Sequence, residues 1–419
     1  MSDMFTAKPL SATSTDLIEK GRRYYVPNYK PREMILDRGV GATVWDIEGN
    51  DYIDLGAGIA VCSLGHQDPD LLAALDKQSR KLWHTSNIFF TEPPIHLAEK
   101  LVAVSGFAER AYLCNSGAEA NEAAIKLARK YAADQGKPPS ARNIISFNGS
   151  FHGRTLATVT LTAQPKYQQG FEPLPGGFLY CDTFNDEAAI EALVDANTCA
   201  IFVEPVQGEG GVMPAKPGFL KHLRKLCDEV GALLIIDEIQ AGMGRTGSLF
   251  AYTQDGVEPD VVTLAKALGG GMPIGAMLVG KKAADVLQFG SHGTTFGGNP
   301  VMAAVALASV TKLASKTIIE NVADKSKKMF AALQQINADM GLFKEIRGRG
   351  LMIGAELIAA HAGKAGDISE LARKHGVLVL IAGPNVMRFL PPLTITDTEL
   401  NVGIERFKQA LISYASAGR

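Results

Sequence analysis

Short apolar runs alternate with helical patterns between about residues 98 and 310, and this alternation leaves few architectures open to the chain. Apolar residues at helical spacing from Phe219 to Val230 lead directly into the run 232–236, which has the length and composition of a buried strand. Such helix-to-strand steps predict an α/β fold with a mostly parallel sheet between layers of helices. Similar strand-like runs lie at residues 111–114, 143–146, 200–203, 261–264 and 274–279.

The C-terminal part of the chain follows a different pattern. Thr396 and Glu399 have the spacing of a capping box and predict a final helix. Strands are predicted before that helix and near the N-terminus, at residues 346–357, 376–381, 387–390, 43–46 and 52–55.

The two patterns predict two domains, and a length of 419 residues is sufficient for two or three. We expect a large domain over residues 71–312 and a smaller α+β domain over residues 313–419. The N-terminal segment 1–70 is expected to contribute to the smaller domain through its two strands.

Charge and cysteine usage exclude several classes of protein. With 42 basic and 44 acidic side chains and no basic run, the chain lacks the surface typical of nucleic-acid binding. Five cysteines without a C-x-x-C pair favour a reducing compartment, and eight histidines without a metal-ligand spacing predict no metal site. No stretch approaches the roughly 18 apolar residues of a membrane span, and residues 1–30 lack the apolar core of a signal peptide. We therefore expect a cytoplasmic protein with small-molecule chemistry.

Asp237 and Lys266 each follow a predicted strand. A lysine amine can bind the aldehyde of pyridoxal phosphate, and this cofactor also needs an acid that keeps its ring nitrogen protonated. Because α/β sheets bind ligands at the carboxyl ends of their strands, the two residues are predicted to meet there as a catalytic pair. Taken singly, Lys266 could be a solvated surface lysine and Asp237 a helix cap or turn acid.

An anion site is predicted where the helix at about residues 120–132 begins. Ser116 and Glu119 have the spacing of a capping box, and Gly117 allows the backbone to approach a ligand. Free N–H groups and the positive end of the helix dipole favour a phosphate there. The alternative is an ordinary capped helix.

Two further loops carry side chains suited to a flat ring and to carboxylates. Phe151 can stack on a ring and Arg154 can bind a carboxylate through its fork of donors, although a core phenylalanine and a surface arginine are equally consistent. Residues 204–211 place two glutamates and a glutamine among glycines, either as a site loop or as a solvated turn.

Two threonines and one arginine are the last candidate ligand-binding residues. Thr294 and Thr295 lie in a glycine-lined loop ahead of a predicted helix, which is a weak indication of a phosphate contact. Arg388 is the single charge in the apolar run 386–390. It either pairs with a structural acid or is kept for an incoming carboxylate.

One motif points to a different cofactor. Residues 242–247 match the dinucleotide pattern G-x-G-x-x-G, with Asp260 at the acidic position. No amphipathic helix follows, and no βαβ unit continues from it. We therefore interpret the match as accidental.

Together these motifs resemble those of the class III aminotransferases of fold type I, which use pyridoxal phosphate. The similarity extends from Trp45-Asp46 to Arg388-Phe389. Within the class, the motifs are most similar to those of the acetylornithine aminotransferases of arginine biosynthesis, and succinylornithine aminotransferases are nearly indistinguishable from these. The segments that carry this likeness are residues 114–123, 151–156 and 292–300.

The resemblance implies a set of contacts with the cofactor. Lys266 would bind it covalently and shuttle protons, Asp237 would pair with its ring nitrogen, and Gln240 would hydrogen-bond its ring hydroxyl. Phe151 would stack on the ring. The phosphate would be bound at the helix start and by a hydroxyl of the neighbouring subunit of a homodimer, through Ser116, Gly117, Ala118 and Thr295.

The resemblance also implies the substrates, which are N-acetylornithine, 2-oxoglutarate and glutamate. Arg154 would bind the distal carboxylate, which in N-acetylornithine is the α-carboxylate, and Thr294 would line the substrate pocket. Arg388 would bind the α-carboxylate of glutamate or 2-oxoglutarate, with Glu209 covering it in the other half-reaction. Ile59, where ornithine aminotransferases carry a tyrosine, disfavours free ornithine, whereas 4-aminobutyrate aminotransferases share the isoleucine.

Two other functions remain open at this point. A racemase or decarboxylase of fold type I would use the same lysine and aspartate, but it would not need a switch between Glu209 and Arg388. A binding or regulatory protein on an inactive scaffold would not need Lys266.

Overall fold

The computed structural model describes Phe5 and residues 7–417. The α-helices are α1 (Ala12–Tyr24), α2 (Ala57–Ala60), α3 (Pro69–Ser79), α4 (Glu92–Ser105), α5 (Gly117–Asp134), α6 (Leu156–Leu161), α7 (Pro165–Gln168), α8 (Glu187–Glu191), α9 (Phe219–Val230), α10 (Pro300–Leu313), α11 (Lys316–Met340), α12 (Ala365–Lys374) and α13 (Asp397–Ala417). The strands are β1 (Leu36–Val40), β2 (Thr43–Asp46), β3 (Asp51–Asp54), β4 (Ala108–Cys114), β5 (Asn143–Phe147), β6 (Phe178–Cys181), β7 (Thr198–Val203), β8 (Val206–Gln207), β9 (Met213–Pro214), β10 (Leu233–Asp237), β11 (Val261–Leu264), β12 (Gly275–Gly280), β13 (Phe343–Arg349), β14 (Met352–Leu357), β15 (Val377–Leu378), β16 (Leu380–Ile381) and β17 (Val386–Phe389). Short 3-10 helices lie at Pro139–Ala141, Ala251–Asp255, Lys266–Leu268 and Ala359–His361.

A seven-stranded sheet forms the centre of the molecule, in the order β4-β12-β11-β10-β7-β5-β6. Strand β12 runs antiparallel to both of its neighbours, and the other neighbouring pairs are parallel. The predicted α/β fold with a mostly parallel sheet is therefore confirmed. The carboxyl ends of β4, β5, β7, β10 and β11 meet at one edge of this sheet, where α/β proteins bind ligands.

Helices cover both faces of the central strands. Every residue of β7 and β10 is buried, as expected for strands between two helical layers. Leu233 and Ile235 share a buried cluster with the alanine-rich face of α5, whereas Leu234 and Ile236 share one with the apolar face of α9. This division follows from the two-residue repeat of a strand, which sends successive side chains to opposite faces.

Two four-stranded sheets, β1-β2-β3-β15 and β13-β14-β17-β16, contain most of the other strands. The N-terminal segment pairs with the C-terminal part of the chain because β15 runs parallel to β3. The capping box of the last helix is confirmed: the Glu399 N–H donates to Thr396 Oγ1 at 3.2 Å, and the Thr396 N–H donates to a Glu399 carboxylate oxygen at 2.9 Å. The domain boundaries at residues 70 and 312 stay predictions.

Two of the predicted strands are wrong, because each is two strands. Residues 346–357 lie in β13 and β14, an antiparallel pair whose turn includes Gly350 at φ +56°, a left-handed conformation that glycine adopts without strain. Residues 376–381 divide into β15 and β16, which belong to different sheets. Leu351 and Val379 are buried at the two breaks, so the apolar pattern continues through turns that usually carry polar residues.

Within the described residues, no single helix has both the length and the apolar composition to cross a membrane. Helices α10 and α11 pass this test only when taken together, and they are bent by 63° at their junction. In the same residues, no group of three or more His, Cys, Asp and Glu side chains is arranged to hold a metal ion.

Gly275 opens β12 directly beside the residue that caps α5. A Cβ atom at Gly275 would lie 2.4 Å from the carbonyl oxygen of Ser116. We expect Gly275→Ala to lower the free energy of unfolding by about 1–3 kcal/mol, because the backbone must shift to remove this overlap. Gly366→Ala in α12 is the control, since a Cβ atom there meets no atom within 4 Å and alanine favours a helix. Urea unfolding of both variants tests this, and wild-type stability of Gly275→Ala would contradict it.

Candidate active site

A cavity of about 430 Å³ opens at the carboxyl edge of the central sheet. Each of five strands contributes residues at its carboxyl end or in the loop that follows it, so the parallel order of the sheet builds the cavity. Its volume suits a small organic ligand. We call it the Lys266 cavity, and its polar lining includes Asn115, Ser116, His152, Arg154, Glu204, Asp237, Gln240 and Lys266.

Asp237 ends β10 and is 3% exposed. One of its carboxylate oxygens accepts from Asn121 Nδ2 at 2.9 Å and lies 2.8 Å from His152 Nδ1, and the other accepts from the Ile239 N–H at 3.0 Å. These three contacts fix the position of the carboxylate. The structure therefore presents a held, buried acid to the cavity at the predicted position.

Glu204, at the end of β7, is a second buried carboxyl group in the same cavity. Its two oxygens accept from the backbone N–H groups of Phe151 and Gly208, at 3.0 and 3.3 Å. Burial, followed by the charge of Asp237, raises the pKa of Glu204 well above its usual range. Burial and the neighbouring charge therefore disfavour ionisation of Glu204, and its two hydrogen bonds tie the Phe151 loop to the loop that follows β7.

Lys266 begins a 3-10 turn directly after β11. Its φ of +46° is a left-handed conformation that few residues other than glycine adopt. Burial lowers the pKa of Lys266 to about 8, although Glu209 raises it, and Arg388 lowers it further. An appreciable fraction of neutral amine, the form that attacks a carbonyl carbon, is therefore present close to neutral pH.

The start of α5 lines the cavity with backbone N–H groups. Ser116 is the N-cap residue, and its hydroxyl accepts from the Glu119 N–H at 3.2 Å. The predicted return bond is wrong by one residue, because the Glu119 carboxylate accepts from the backbone and side chain of Asn115, at 2.7 and 2.8 Å. The first N–H groups of a helix have no acceptor within it, so those of Gly117 and Ala118 can bind an anion.

Phe151 and Arg154 lie on one wall of the cavity together with a tyrosine. The Phe151 ring meets the edge of Tyr167 with centroids 5.9 Å apart. The guanidinium carbon of Arg154 lies 3.8 Å from the centre of the Tyr167 ring and 5.4 Å from that of Phe151. No described carboxylate lies within ion-pair distance of Arg154, so its donors are free to bind an acidic ligand.

Arg388 is the one charged residue of β17 and is 3% exposed. Its Nη1 donates to the carboxylate of Glu209, to the carbonyl oxygen of Gly208 at 3.2 Å and to Gln240 Oε1 at 3.2 Å. Burial disfavours the ionised form of Glu209, but Arg388 outweighs burial, so the pKa of Glu209 is lowered. Arg388 therefore contacts Glu209, the residue expected to cover it, and also Gln240.

Thr294 and Thr295 do not line the Lys266 cavity. Thr294 accepts from Asn115 Nδ2 at 3.0 Å and faces a second cavity of about 390 Å³. Thr295 is exposed on the outer surface of the same loop. The two hydroxyls predicted to reach ligands therefore lie beside the start of α5, outside the cavity of the same chain.

Four side chains at the site were not among the predicted site residues: Asn121, His152, Tyr167 and Glu204. Glu204 and His152 belong to loops that the sequence had singled out, so their positions after β7 and β5 were an available signal. Asn121 and Tyr167 lie within helices, and no sequence motif around either residue indicates a ligand-binding role.

The chain is similar over nearly its whole length to aminotransferases. The sequence model of the family described as Aminotransferase class-III matches residues 24–411. The acetylornithine aminotransferase of Xanthomonas campestris pv. campestris is 61% identical over 94% of this chain and 96% of that protein. The succinylornithine transaminase of Yersinia pseudotuberculosis serotype O:1b is 50% identical over 93% of this chain and 94% of that protein. The crystal structure of N-acetylornithine aminotransferase from Stenotrophomonas maltophilia K279a has a TM-score of 0.85 at 53% identity and covers 96% of this chain and 100% of that one.

The pKa of Lys266 makes its reactivity depend on pH and on the two charges beside it. We expect covalent uptake of pyridoxal phosphate by the apoprotein to accelerate as the pH rises through about 8, since the neutral amine is the reactive form. Glu209→Gln removes a charge that raises the pKa of Lys266, so the acceleration should move to lower pH. Arg388→Met removes a charge that lowers it, so the acceleration should move to higher pH.

Stopped-flow absorbance across a pH series measures these shifts. Asp367→Asn, which changes an exposed carboxylate paired with Lys364, is the control and should follow the wild type. Lys266→Ala should show no covalent uptake at any pH. If Glu209→Gln and Arg388→Met moved the pH dependence of uptake in the same direction, the opposite effects of these two residues on the pKa of Lys266 would be contradicted.

Proposed function

We propose that this chain, which belongs to the class III aminotransferase family, transfers the terminal amino group of an N-acylated ornithine to 2-oxoglutarate and so forms glutamate. Members of this class use pyridoxal phosphate, and the chain is a pyridoxal-phosphate-dependent aminotransferase. The observation that carries the choice of substrate is the pair of Glu209 and Arg388, which contacts the cavity residue Gln240. N-acetylornithine is the proposed donor, since that compound appears in the names of several similar proteins.

The residues of the Lys266 cavity fit the cofactor. The open N–H groups of Gly117 and Ala118 suit its phosphate, and the wall formed by Phe151 suits its ring. Asp237 is a buried acid positioned to hold a proton on the ring nitrogen, and Gln240 can reach the ring hydroxyl. A Cβ atom at position 117 would lie 2.7 Å from the Ile239 side chain. Glycine at this position therefore keeps the phosphate site at the start of α5 free of a side chain.

Lys266 and Asp237 are the proposed catalytic residues. When bound, pyridoxal phosphate supplies an electron sink for the carbon that carries the substrate amine. Lys266 binds the cofactor aldehyde and then, once released as an amine, moves a proton to and from that carbon. Asp237 holds the proton at the ring nitrogen, which requires its carboxylate to remain charged.

Two arginines solve the problem of accepting two different substrates in one pocket. N-acetylornithine reacts through its terminal amine, with its carboxylate far from the reacting carbon, and Arg154 is exposed and free to bind that carboxylate. Glutamate reacts through an amine that has a carboxylate beside it, and Arg388 is placed to bind this second carboxylate. Glu209 neutralises Arg388 when no such carboxylate is present. Thr294 stays a proposed substrate-binding residue, although within one chain it lies outside the Lys266 cavity and accepts from Asn115.

Three other amine donors are the alternatives within the same class. Succinylornithine is the second candidate, because a transaminase named for it is 50% identical to this chain. Ornithine and 4-aminobutyrate are the remaining alternatives. A racemase or decarboxylase is disfavoured, since a reaction with one substrate needs no movable partner for Arg388.

Glu209→Ala and Arg388→Ala test the substrate class through the two half-reactions. Without Glu209 the arginine stays open to α-carboxylates, so the glutamate half-reaction should be kept while selectivity for the terminal amine of N-acetylornithine falls. Without Arg388 the glutamate half-reaction should lose on the order of 2–5 kcal/mol of transition-state stabilisation, because a buried charge pair is broken. Much of the N-acetylornithine half-reaction should survive in Arg388→Ala.

Single-turnover absorbance with each substrate separates the two half-reactions. Arg406→Ala is the control, since Arg406 also pairs with a carboxylate, that of Asp51 at 2.7 Å, but lies on α13, away from the cavity. Equal losses in both half-reactions for both variants would mean that the pair of Glu209 and Arg388 is structural. Initial rates with succinylornithine, ornithine and 4-aminobutyrate would then rank the donors.

The active unit is proposed to be a homodimer with shared sites. Aromatic side chains are largely exposed around the second cavity, with Phe89 66%, Phe90 95% and Phe296 61% exposed. Exposed apolar patches of this kind are usually covered by a partner. Thr295 lies in the same region, so a second copy docked there brings this hydroxyl towards the phosphate site of the first.

Mixed dimers of Lys266→Ala and Thr295→Ala test the sharing of sites. If Thr295 serves the partner subunit, one site of the mixed dimer has both Lys266 and Thr295, and it should bind pyridoxal phosphate as tightly as the wild type. Phe90→Glu should dissociate the dimer, which sedimentation equilibrium detects. Weak binding at every site of the mixed dimer would contradict a contribution in trans.

The proposed compartment is the cytoplasm, and the proposed role is arginine biosynthesis. All five cysteines are free thiols, as expected in a reducing compartment.

A further inference from the structure

Asn121 is a buried polar residue behind the Lys266 cavity to which the proposed mechanism gives no part. It lies on α5 and is 0% exposed. Its Nδ2 donates to the carbonyl oxygen of His152 at 2.7 Å and to the carboxylate of Asp237 at 2.9 Å. One amide therefore joins α5 to the loop after β5 and to the end of β10.

The orientation of this amide follows from its neighbours. Both atoms that face Nδ2 are acceptors, so an oxygen in its place would meet two oxygens. The Asn121 oxygen itself is buried and has no hydrogen-bond partner among the described residues. An unpaired buried acceptor is unfavourable. The asparagine is therefore kept for the two hydrogen bonds that its amide N–H groups donate.

His152 cannot hold Asp237 in place alone. Its Nδ1 lies 2.8 Å from the carboxylate, but its Nε2 is buried and unpaired within the described part of the chain. The ring packs against Phe202 with centroids 4.8 Å apart, a contact that supplies no hydrogen bond to the ring. Asn121 fixes both members of the contact, because it binds the backbone of His152 and the side chain of Asp237.

Helix α5 connects this contact with the anion site. Gly117 and Asn121 are four residues apart, which is about one helical turn and roughly 6 Å along the axis. A ligand bound at the first turn therefore has a fixed position relative to Asp237. A helix defines this spacing more closely than a loop would.

We propose that Asn121 is a positioning residue that clamps Asp237 and His152 as one unit and so keeps the ring nitrogen of bound pyridoxal phosphate protonated. This inference rests on the proposed role of Asp237. The amide stabilises the charged carboxylate by donating to it, and it sets the direction of the free lone pairs towards the cavity. The ionisable groups that face Asp237 are His152, Glu204, Glu238 and Lys266, on four separate segments.

The test is the ¹⁵N signal of pyridoxal phosphate labelled at the ring nitrogen and bound to the holoenzyme, measured against pH. Asn121→Ala and Asn121→Leu both remove the donors, and leucine keeps the volume. In each, the apparent pKa of the ring nitrogen should fall by about one pH unit relative to the wild type, which is about a tenfold change in its protonation equilibrium. Asp237→Ala should cause a larger fall.

Asn50→Ala is the matched control. Asn50 is also a buried asparagine whose Nδ2 donates to a carboxylate, that of Asp46 at 2.7 Å. It lies in the turn between β2 and β3, away from the cavity. This variant should leave the ring-nitrogen signal unchanged. A wild-type signal in both Asn121 variants, together with an altered signal in Asp237→Ala, would overturn the clamp and leave the proposed function intact. A wild-type signal in Asp237→Ala would overturn the role of Asp237 itself.

Discussion

Five ionisable side chains, three of them buried and two partly exposed, lie near the carboxyl edge of the central sheet, and the balance of their charges is the constraint on which the site depends. Lys266 and Arg388 are the cations, and Asp237, Glu204 and Glu209 are the carboxyl groups. A buried charge without a partner is strongly destabilising. Because burial and Asp237 raise the pKa of Glu204, this third carboxyl group is the one whose charge the site disfavours.

This balance also explains why Glu209 is the member that can move. Arg388 donates to three acceptors, and two of them are held in place. Gln240 is 7% exposed, and Gly208 is held by Glu204 and cannot carry a Cβ atom, which would lie 2.3 Å from Gln240. The Glu209 side chain is 22% exposed, so it can swing towards solvent while Arg388 keeps two neutral acceptors. An incoming α-carboxylate then replaces one carboxylate with another, and the net charge of the cavity stays the same.

The parts of the site that could be predicted from the sequence are those with a local signal. Asp237 and Lys266 directly follow apolar runs, and once the sheet is parallel, its topology brings such strand ends together. Asn121 had no such signal, because it lies in an alanine-rich helix 116 residues away from Asp237 along the chain. The turn at Gly350 was missed for a related reason, since the buried Leu351 continues the apolar pattern through it.

The segment before the cavity shows how local strain is accommodated near the site. Ala57, Gly58, Ile59 and Ala60 all have positive φ, between 45° and 66°, although only one of them is glycine. Each such non-glycine residue costs on the order of 1–3 kcal/mol, and a β-branched residue is rare in this conformation. The Asp54 carboxylate offsets part of this cost by accepting from the Gly56 and Ala57 N–H groups, at 2.9 and 2.8 Å. The turn leads into Val61, which lines the Lys266 cavity, and leaves Ile59 41% exposed. A relaxed right-handed turn would carry Val61 in a different direction, so the strain is what places this wall of the cavity.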